Sequence, residues 1–317
     1  MRLCRYTQQN QTLAGLYDES SVVSLDAAAA AYSAATKDNV QLATTDNLLD
    51  YLPHGTHAAA AAKVAAWAAQ NRSALAAVST PTGSVKLHMP IPRPNKLFLL
   101  AGNYAEHIRE GGGVAAERAE TFPYVFMKPP STTLIDPGAT VKIPSVSPGA
   151  IDWELELAVV IGQRCKHVKE ADALKVVAGY AVINDISDRK FKPNPGRKLR
   201  DRDKFFDWLH GKWHDSFCPM GPCIASADTI RDPQTMKMHL KLNGQIRQDA
   251  STSMMIFPVA ALIEFISSFV TLEPGDIIST GTPSGVGSTT GTFVKPGDTL
   301  EATIEQIGTL VSPVGAE

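Results

Sequence analysis

No two cysteines of this chain stand in a CxxC spacing, which removes the commonest zinc and dithiol frameworks from consideration. The four present, Cys4, Cys165, Cys218 and Cys223, follow no regular interval. A bridge between Cys218 and Cys223, around Pro219 and Gly221-Pro222, has nothing further in the sequence to support it. Free thiols in a reducing compartment are the expectation. An apolar signal core is missing after Met1, where Met1-Arg2-Leu3-Cys4-Arg5-Tyr6 mixes charge with apolar residues. No uncharged apolar run reaches membrane-spanning length either. The expectation is a soluble protein, cytoplasmic or organellar, with no membrane partner. Charge of one sign is also lacking: 30 Lys and Arg against 32 Asp and Glu leave a net −2, which attracts neither nucleic acid nor anionic lipid. There is no internal repeat. His210 and His214 are four apart, but Gly211 replaces the glutamate of a zinc-protease helix and no third ligand accompanies them.

What the chain does have is ordinary globular composition, 44% hydrophobic and 20% charged over 317 residues. That length supports one large core, or a large domain with a small one. Short strands are expected at Arg2–Tyr6, Leu13–Tyr17 and Ser21–Leu25, followed by two alanine-rich helices. The second of these runs from about Thr56, its N-cap, to Val78. Residues 79–95 contain Pro81, Gly83, Pro90, Pro92 and Pro94 and read as a connector, dividing a small N-terminal domain, 1–90, from a larger one, 91–317. Beyond Lys96 come strand-like runs at Leu97–Ala101, Tyr124–Met127, Glu154–Ile161, Ala178–Ile183, Met238–Leu242 and Asp276–Ser279. Turns such as Asp136-Pro137-Gly138, Asn243-Gly244 and Pro274-Gly275-Asp276 separate them. Helical periodicity is clear only near Glu170–Val177 and Phe257–Phe269. The pattern predicts a β-rich α+β fold and not a doubly wound parallel sheet.

The most informative segment is Ile151-Asp152-Trp153-Glu154-Leu155-Glu156-Leu157-Ala158-Val159-Val160-Ile161-Gly162. In a strand, Glu154 and Glu156 point to one face, with Cα atoms roughly 6.5 Å apart at about 3.3 Å per residue. Two readings stand side by side. Either the carboxylates lead into a buried run and need a cation to offset them, or the strand starts in water and becomes buried only at Ala158. Asp152 shares their face and is the weaker third candidate. Asp185 ends the apolar run Val176–Ile183, where an acid either lines a site or caps a turn, and Arg189 follows four residues later. Three carboxylates without Cys or His suit Mg²⁺, Mn²⁺ or Ca²⁺ better than Zn²⁺.

At this point a resemblance enters. In order along the chain stand Gly102-Asn103-Tyr104-Ala105-Glu106-His107-Ile108-Arg109-Glu110, Phe126-Met127-Lys128-Pro129 and Trp153-Glu154-Leu155-Glu156-Leu157. Asn184-Asp185-Ile186-Ser187-Asp188-Arg189, Asn243-Gly244-Gln245 and the run from Pro274 through Gly281-Thr282-Pro283 to Gly287 follow. Over about two thirds of the chain this resembles the fumarylacetoacetate hydrolase superfamily, near its acylpyruvate hydrolase and oxaloacetate decarboxylase branch. The resemblance implies a mixed β-sandwich roll, a homodimer, and one Mg²⁺ or Mn²⁺ on Glu154, Glu156 and Asp185. It implies that His107 and Glu110 form a dyad on a short helix, for which the i, i+3 spacing is suitable. Gly111-Gly112-Gly113 directly afterwards reads as the flexible base of a closing lid or as a plain loop. Lys212 matches the family's active-site lysine and Thr282 a substrate-contacting threonine. The glycine loop around Thr282 lacks the Gly-Lys-Ser/Thr ending of a nucleotide loop.

One departure bears on substrate: many relatives carry Gln where this chain has Lys192, which suggests a substrate with an extra anionic or hydroxylated group. The basic stretch Pro193–Lys204 alternates with Asp and reads as a solvated loop or a dimer contact in preference to a nucleic-acid patch. The expected activity is hydrolytic carbon–carbon cleavage of a 2,4-dioxo acid, with His107 and Glu110 activating water. Arg189, Lys192 and Lys212 would offset the charge of a small oxo-acid substrate. Decarboxylation of an oxaloacetate-like acid, isomerisation or hydration of a dienol acid, and hydrolysis of a 2,4-diketo-3-deoxy sugar acid need the same site.

Overall fold

Alternation decides the centre of the molecule. In the strand Leu155–Ile161 every residue is buried, as a strand covered on both faces requires. Leu155, Leu157, Val159 and Ile161 enter one core with Met238, Leu240, Leu300 and Ile304. Ala158 and Val160 enter a second core with Leu25, Ala28, Ala61 and Val64. The computed structural model, which describes residues 1–317, is therefore layered. A twelve-stranded sheet carries a five-stranded sheet over one face and the helices Leu25–Thr36 and Ala58–Gln70 over the other. Each fully buried Val or Leu in these layers is worth about 1.5–3 kcal/mol relative to exposure. The β-rich α+β architecture is the one the turn spacing predicts.

The large sheet mixes distant parts of the chain. Its path runs Thr80–Pro81, Ser21–Ser24, Gln11–Tyr17, Arg2–Gln8, Cys218–Ser226, Val177–Asn184, Leu155–Ile161, Ile277–Ser279, Leu97–Ala101 and Tyr124–Met127. Arg2–Gln8 pairs antiparallel with Cys218–Ser226, in the register Leu3 with Ile224. Hydrogen bonding thus joins residues 1–90 to the sheet of residues 91–317. Even the connector takes part, since Lys86–His88 pairs with Arg5–Thr7. All four cysteines are free, and no helix is long and apolar enough to cross a membrane.

Several boundaries differ from the sequence pattern for local reasons. The second alanine-rich helix begins at Ala58 after His57 and stops at Gln70, with a separate 3₁₀ segment over Arg72–Val78. Asn71 ends it: its backbone leaves the helical region and its amide donates to Trp67 O at 2.8 Å, the side-chain competition typical of asparagine. Near residue 170 only Glu170–Ala173 is α-helical, because Val177 already enters a strand. An unforeseen helix, Asp203–His210, follows the basic stretch. Arg197 holds it from outside, reaching Asp203 at 3.0 Å and Asp207 at 2.6 Å.

Candidate metal and catalytic centre

Strand register brings the acids together. Leu155–Ile161 and Val177–Asn184 run antiparallel with Leu155 opposite Asn184, so the next residue out on each side, Glu154 and Asp185, meet at the strand ends. Asp185 N donates to Glu154 O at 2.9 Å, and Asn184 Oδ1 accepts from Glu154 N at 2.9 Å. Glu156, two residues along, completes a cluster whose carboxylate oxygens lie within 4.8 Å of one another, all three residues buried. Of the two readings of this strand, the exposed start is the one that fails: Glu154 is 5% exposed and Glu156 wholly buried.

The surroundings of each acid differ. Glu156 Oε2 accepts from Ser279 Oγ at 2.5 Å and Gly281 N at 2.8 Å, whereas its Oε1 is buried without a donor. Burial, then the charges of Asp185 and Glu154, push its carboxyl well above the usual range. For Glu154 burial also acts upward, but Lys212 at 3.1 Å and Arg189 at 2.7 Å outweigh it and hold the carboxyl at about 2. Asp185 Oδ2 takes the Lys212 ammonium at 2.6 Å. Its Oδ1 lies against Lys128 in an ion pair not aligned as a hydrogen bond. A buried oxygen without a donor, three hard carboxylates and no nitrogen or sulfur ligand fit a hard divalent cation.

Asp152 is not part of this cluster. Its oxygens accept from Gly287 N at 2.6 Å, Ser288 N at 2.9 Å and Arg189 Nε at 2.9 Å, so it anchors the arginine and the loop beyond Gly285. The Lys212 ammonium, 2% exposed by residue, also donates to Ser187 Oγ at 2.9 Å. It lies 5.2 Å from the Phe126 ring centroid and 5.5 Å from that of Trp208. Burial would lower its proton affinity, but Asp185 and Glu154 raise it further, and the ammonium stays charged.

Opposite the acids, the helix Ala105–Glu110 carries the predicted dyad. His107 Nδ1 and Glu110 Oε1 are 2.8 Å apart, and Glu110 Oε2 accepts from Gly285 N at 2.9 Å. Gly285 has φ +97°, and a Cβ there would stand 2.1 Å from Arg247 O, so only glycine permits this tether. Gly281 has φ +86° and offers its N–H to Glu156 for the same steric reason. A cavity of about 60 Å³ lies between, lined by Leu100–Gly102, His107, Glu154, Arg189, Trp208, Lys212 and Thr282. Thr282 spends its hydroxyl hydrogen on Leu155 O at 3.0 Å and accepts from Gln248 Nε2 at 2.9 Å. It can therefore meet a ligand only as an acceptor.

Of the residues singled out in the sequence, Glu154, Glu156, Asp185, His107, Glu110, Arg189, Lys212 and Thr282 come together here. Lys192 is exposed and does not line the cavity. His210 and His214 belong to no metal-type cluster. A larger cavity, about 430 Å³, lies elsewhere, among Arg2, Tyr17, Arg72 and Leu75, and none of the three acids lines it. Sequence reasoning gave no role to Lys128, which is 1% exposed and bonds Ile186 O at 2.9 Å and Phe217 O at 2.6 Å. Its signal was a lone lysine closing the strand Tyr124–Met127 ahead of two prolines. Trp208, Gln248 and the Asp152–Arg189 pair also went unassigned.

Comparison with known proteins gives consistent matches. The family model described as "Fumarylacetoacetate (FAA) hydrolase C-terminal" matches residues 96–315. The oxaloacetate tautomerase YisK of Bacillus subtilis (strain 168) is 40% identical over 258 residues, 80% of this chain and 81% of that protein. The mitochondrial oxaloacetate tautomerase Fahd2a of Rattus norvegicus is 38% identical over 236 residues, 74% of this chain and 71% of that protein. The structure of maleylpyruvate hydrolase from Sphingobium sp. SYK-6 in complex with manganese(II) and pyruvate is similar at TM-score 0.70 and 28% identity. That likeness covers 100% of this chain and 99% of the other.

Proposed function

The chain belongs to the fumarylacetoacetate hydrolase family, and from that premise we propose that it interconverts the keto and enol forms of a small 2-oxo acid of the oxaloacetate kind, with Mg²⁺ or Mn²⁺ as its cation. One observation carries the reading: His107 has Nδ1 fixed by Glu110, its Nε2 has no hydrogen-bond partner in the protein, and the residue lines the cavity shared with Glu154, Arg189 and Lys212. Two relatives named as oxaloacetate tautomerases support the reaction class.

Glu154, Glu156 and Asp185 would hold the cation, whose chemistry when bound is to polarise the substrate's 2-oxo group. Glu110 keeps the proton on Nδ1, so Nε2 presents its lone pair and acts as a general base toward C3. When the C3–H bond breaks, its electron pair forms the C2–C3 double bond and the carbonyl pair withdraws onto oxygen. His107 then returns the proton to that oxygen. Arg189, held square by Asp152, and Lys212, held by Ser187, meet the substrate's carboxylates. Lys128 against Asp185 adds a third buried cation to Arg189 and Lys212 and so lessens the cost of bringing a carboxylate substrate to three acids.

A second reading has its own support in the likeness to a maleylpyruvate hydrolase. In it the same dyad activates water to attack the distal carbonyl of a 2,4-dioxo acid, releasing pyruvate and a carboxylic acid. Chelator-stripped protein, assayed by the ultraviolet absorbance of enol-oxaloacetate with and without Mg²⁺ or Mn²⁺, separates the two. Metal-restored enol–keto exchange supports the tautomerase. Absence of exchange together with pyruvate release from acetylpyruvate would establish the hydrolase, and silence with both substrates and both metals removes both readings.

A further inference from the structure

The proposed function leaves open how large an acid the site accepts, and the apolar wall of the cavity bears on this. The cavity is about 60 Å³, and its apolar lining comes from two sources. Leu100 and Ala101 end the strand Leu97–Ala101 of the sheet, and Gly102 follows it directly. Trp208 comes from the helix Asp203–His210, which is outside every sheet and is held by Arg197 through Asp203 and Asp207. Its indole packs edge-on against Phe126, with centroids 5.0 Å apart at 68°, and near Phe205 at 5.7 Å. It is the largest side chain on the lining and the only aromatic carbocycle there.

We infer that Trp208 is a specificity-determining residue, closing the tail side of the site and restricting it to short oxo acids of three or four carbons. The inference rests on the proposed function and deepens it. A substrate with its oxo-acid head at Glu154, Arg189 and Lys212 shares the cavity with the indole, which lies 5.5 Å from the Lys212 ammonium, so whatever extends beyond the head must fit in the space the indole leaves. A carboxymethyl tail fits the enclosed space, while an aryl or long acyl tail requires the indole to move. Moving it also uncovers the Lys212 ammonium, which lies near both the Trp208 and Phe126 rings. The wall and the lysine's environment are therefore one device, and two substitutions separate them. Trp208→Phe keeps an aromatic face near the ammonium and shortens the wall. Trp208→Ala removes both.

The test measures binding by calorimetry to Mg²⁺-loaded full-length protein. Its probes are oxalate, as a minimal head group, and 4-phenyl-2,4-dioxobutanoate, as a head with a bulky tail. Wild type is expected to bind oxalate and to disfavour the aryl acid. In Trp208→Ala the ratio of aryl-acid to oxalate affinity rises by about tenfold or more, the scale on which a pocket discriminates extra apolar volume. Trp208→Phe gives an intermediate ratio. Should Trp208→Ala melt far below wild type, Trp208→Phe and Trp208→Leu carry the comparison. Equal affinity of wild type for both probes overturns the inference, as does a ratio that no Trp208 variant changes. If wild type binds neither probe, the oxo-acid reading itself falls, and the size gate with it.

Discussion

Two histidine–carboxylate pairs in this protein have almost the same geometry and lead different lives. His107 and Glu110 approach at 2.8 Å, His88 and Asp136 at 2.9 Å, in each case through Nδ1. At His88 the second nitrogen is already used, 2.7 Å from Thr7 Oγ1, and Asp136 also accepts from Met89 N at 2.9 Å. That histidine fastens the strand Lys86–His88 to the strand Arg2–Gln8 and to the turn at Asp136. At His107 the second nitrogen has no protein partner, and the residue lines a cavity beside a cluster of acids. Chemistry thus depends less on the pair than on whether its remaining nitrogen has been spent.

The sharpest way to test that contrast is to remove each histidine. His107→Ala is expected to lower kcat by about 10²–10⁴-fold, the usual share of a general base, with a melting temperature close to wild type. An intact kcat would return His107 to the structural class of His88. Lys128→Met should cost about 3–5 kcal/mol in chemical denaturation, because it takes the cation from Asp185 Oδ1 and leaves that carboxylate oxygen buried without it. A small loss there would mean that Asp185 is held by Lys212 alone. Adding Mn²⁺ to chelator-stripped protein at one hundred times its dissociation constant should stabilise it by about 2.7 kcal/mol. Glu156→Gln, which removes one of the three carboxylates, should erase most of that gain, and an unchanged gain would locate the metal elsewhere.

His88→Ala should cost about 1–3 kcal/mol, the range for leaving a buried partner unsatisfied, and leave kcat as it was. A drop in kcat would blur the distinction between the two pairs. The smallest effect concerns thiols. Burial pushes Cys218 and Cys223 up to about 12 and raises Cys4 as well, so at pH 8 they remain protonated and shielded. Alkylation of native protein at that pH should modify Cys165 at most, and all four after unfolding, as read by intact mass.

The acids were legible because strand periodicity is local. A single residue separates Glu154 from Glu156, and the apolar runs Ala158–Ile161 and Val176–Ile183 mark both strands, so a cluster followed from pattern and resemblance together. The dyad was legible for a similar reason, being three residues apart on one helix. Lys128 was not, since its role is defined by Ile186 O, Phe217 O and Asp185, which meet only when three distant segments fold against one another. Asp152 shares the strand face of the glutamates and reads from sequence only as a weaker candidate ligand. What sets it apart is the backbone N–H groups of Gly287 and Ser288, more than 130 residues away in sequence. The helix Asp203–His210 has too few turns for a periodic signal, and its clasp, Arg197, lies in what reads as a basic loop. In each case the missing information was tertiary.

The seam between Arg2–Gln8 and Cys218–Ser226 also has a meaning in time. Leu3 pairs with Ile224, so during synthesis the first strand leaves the ribosome long before its central neighbour exists. At about 5–20 residues per second the wait is on the order of 10–40 s. Through that interval Arg2–Gln8 can pair with Gln11–Tyr17 on one side and, once residues 86–88 are made, with Lys86–His88 over Arg5–Thr7 on the other, while Arg2 and Leu3 keep an open edge. Ribosome-bound chains arrested before Ile224 should accordingly be cut by protease within the first strand, and chains arrested well beyond it should resist. The order of translation thereby makes the closing of this sheet a late, long-range event and leaves the growing chain with an edge to protect.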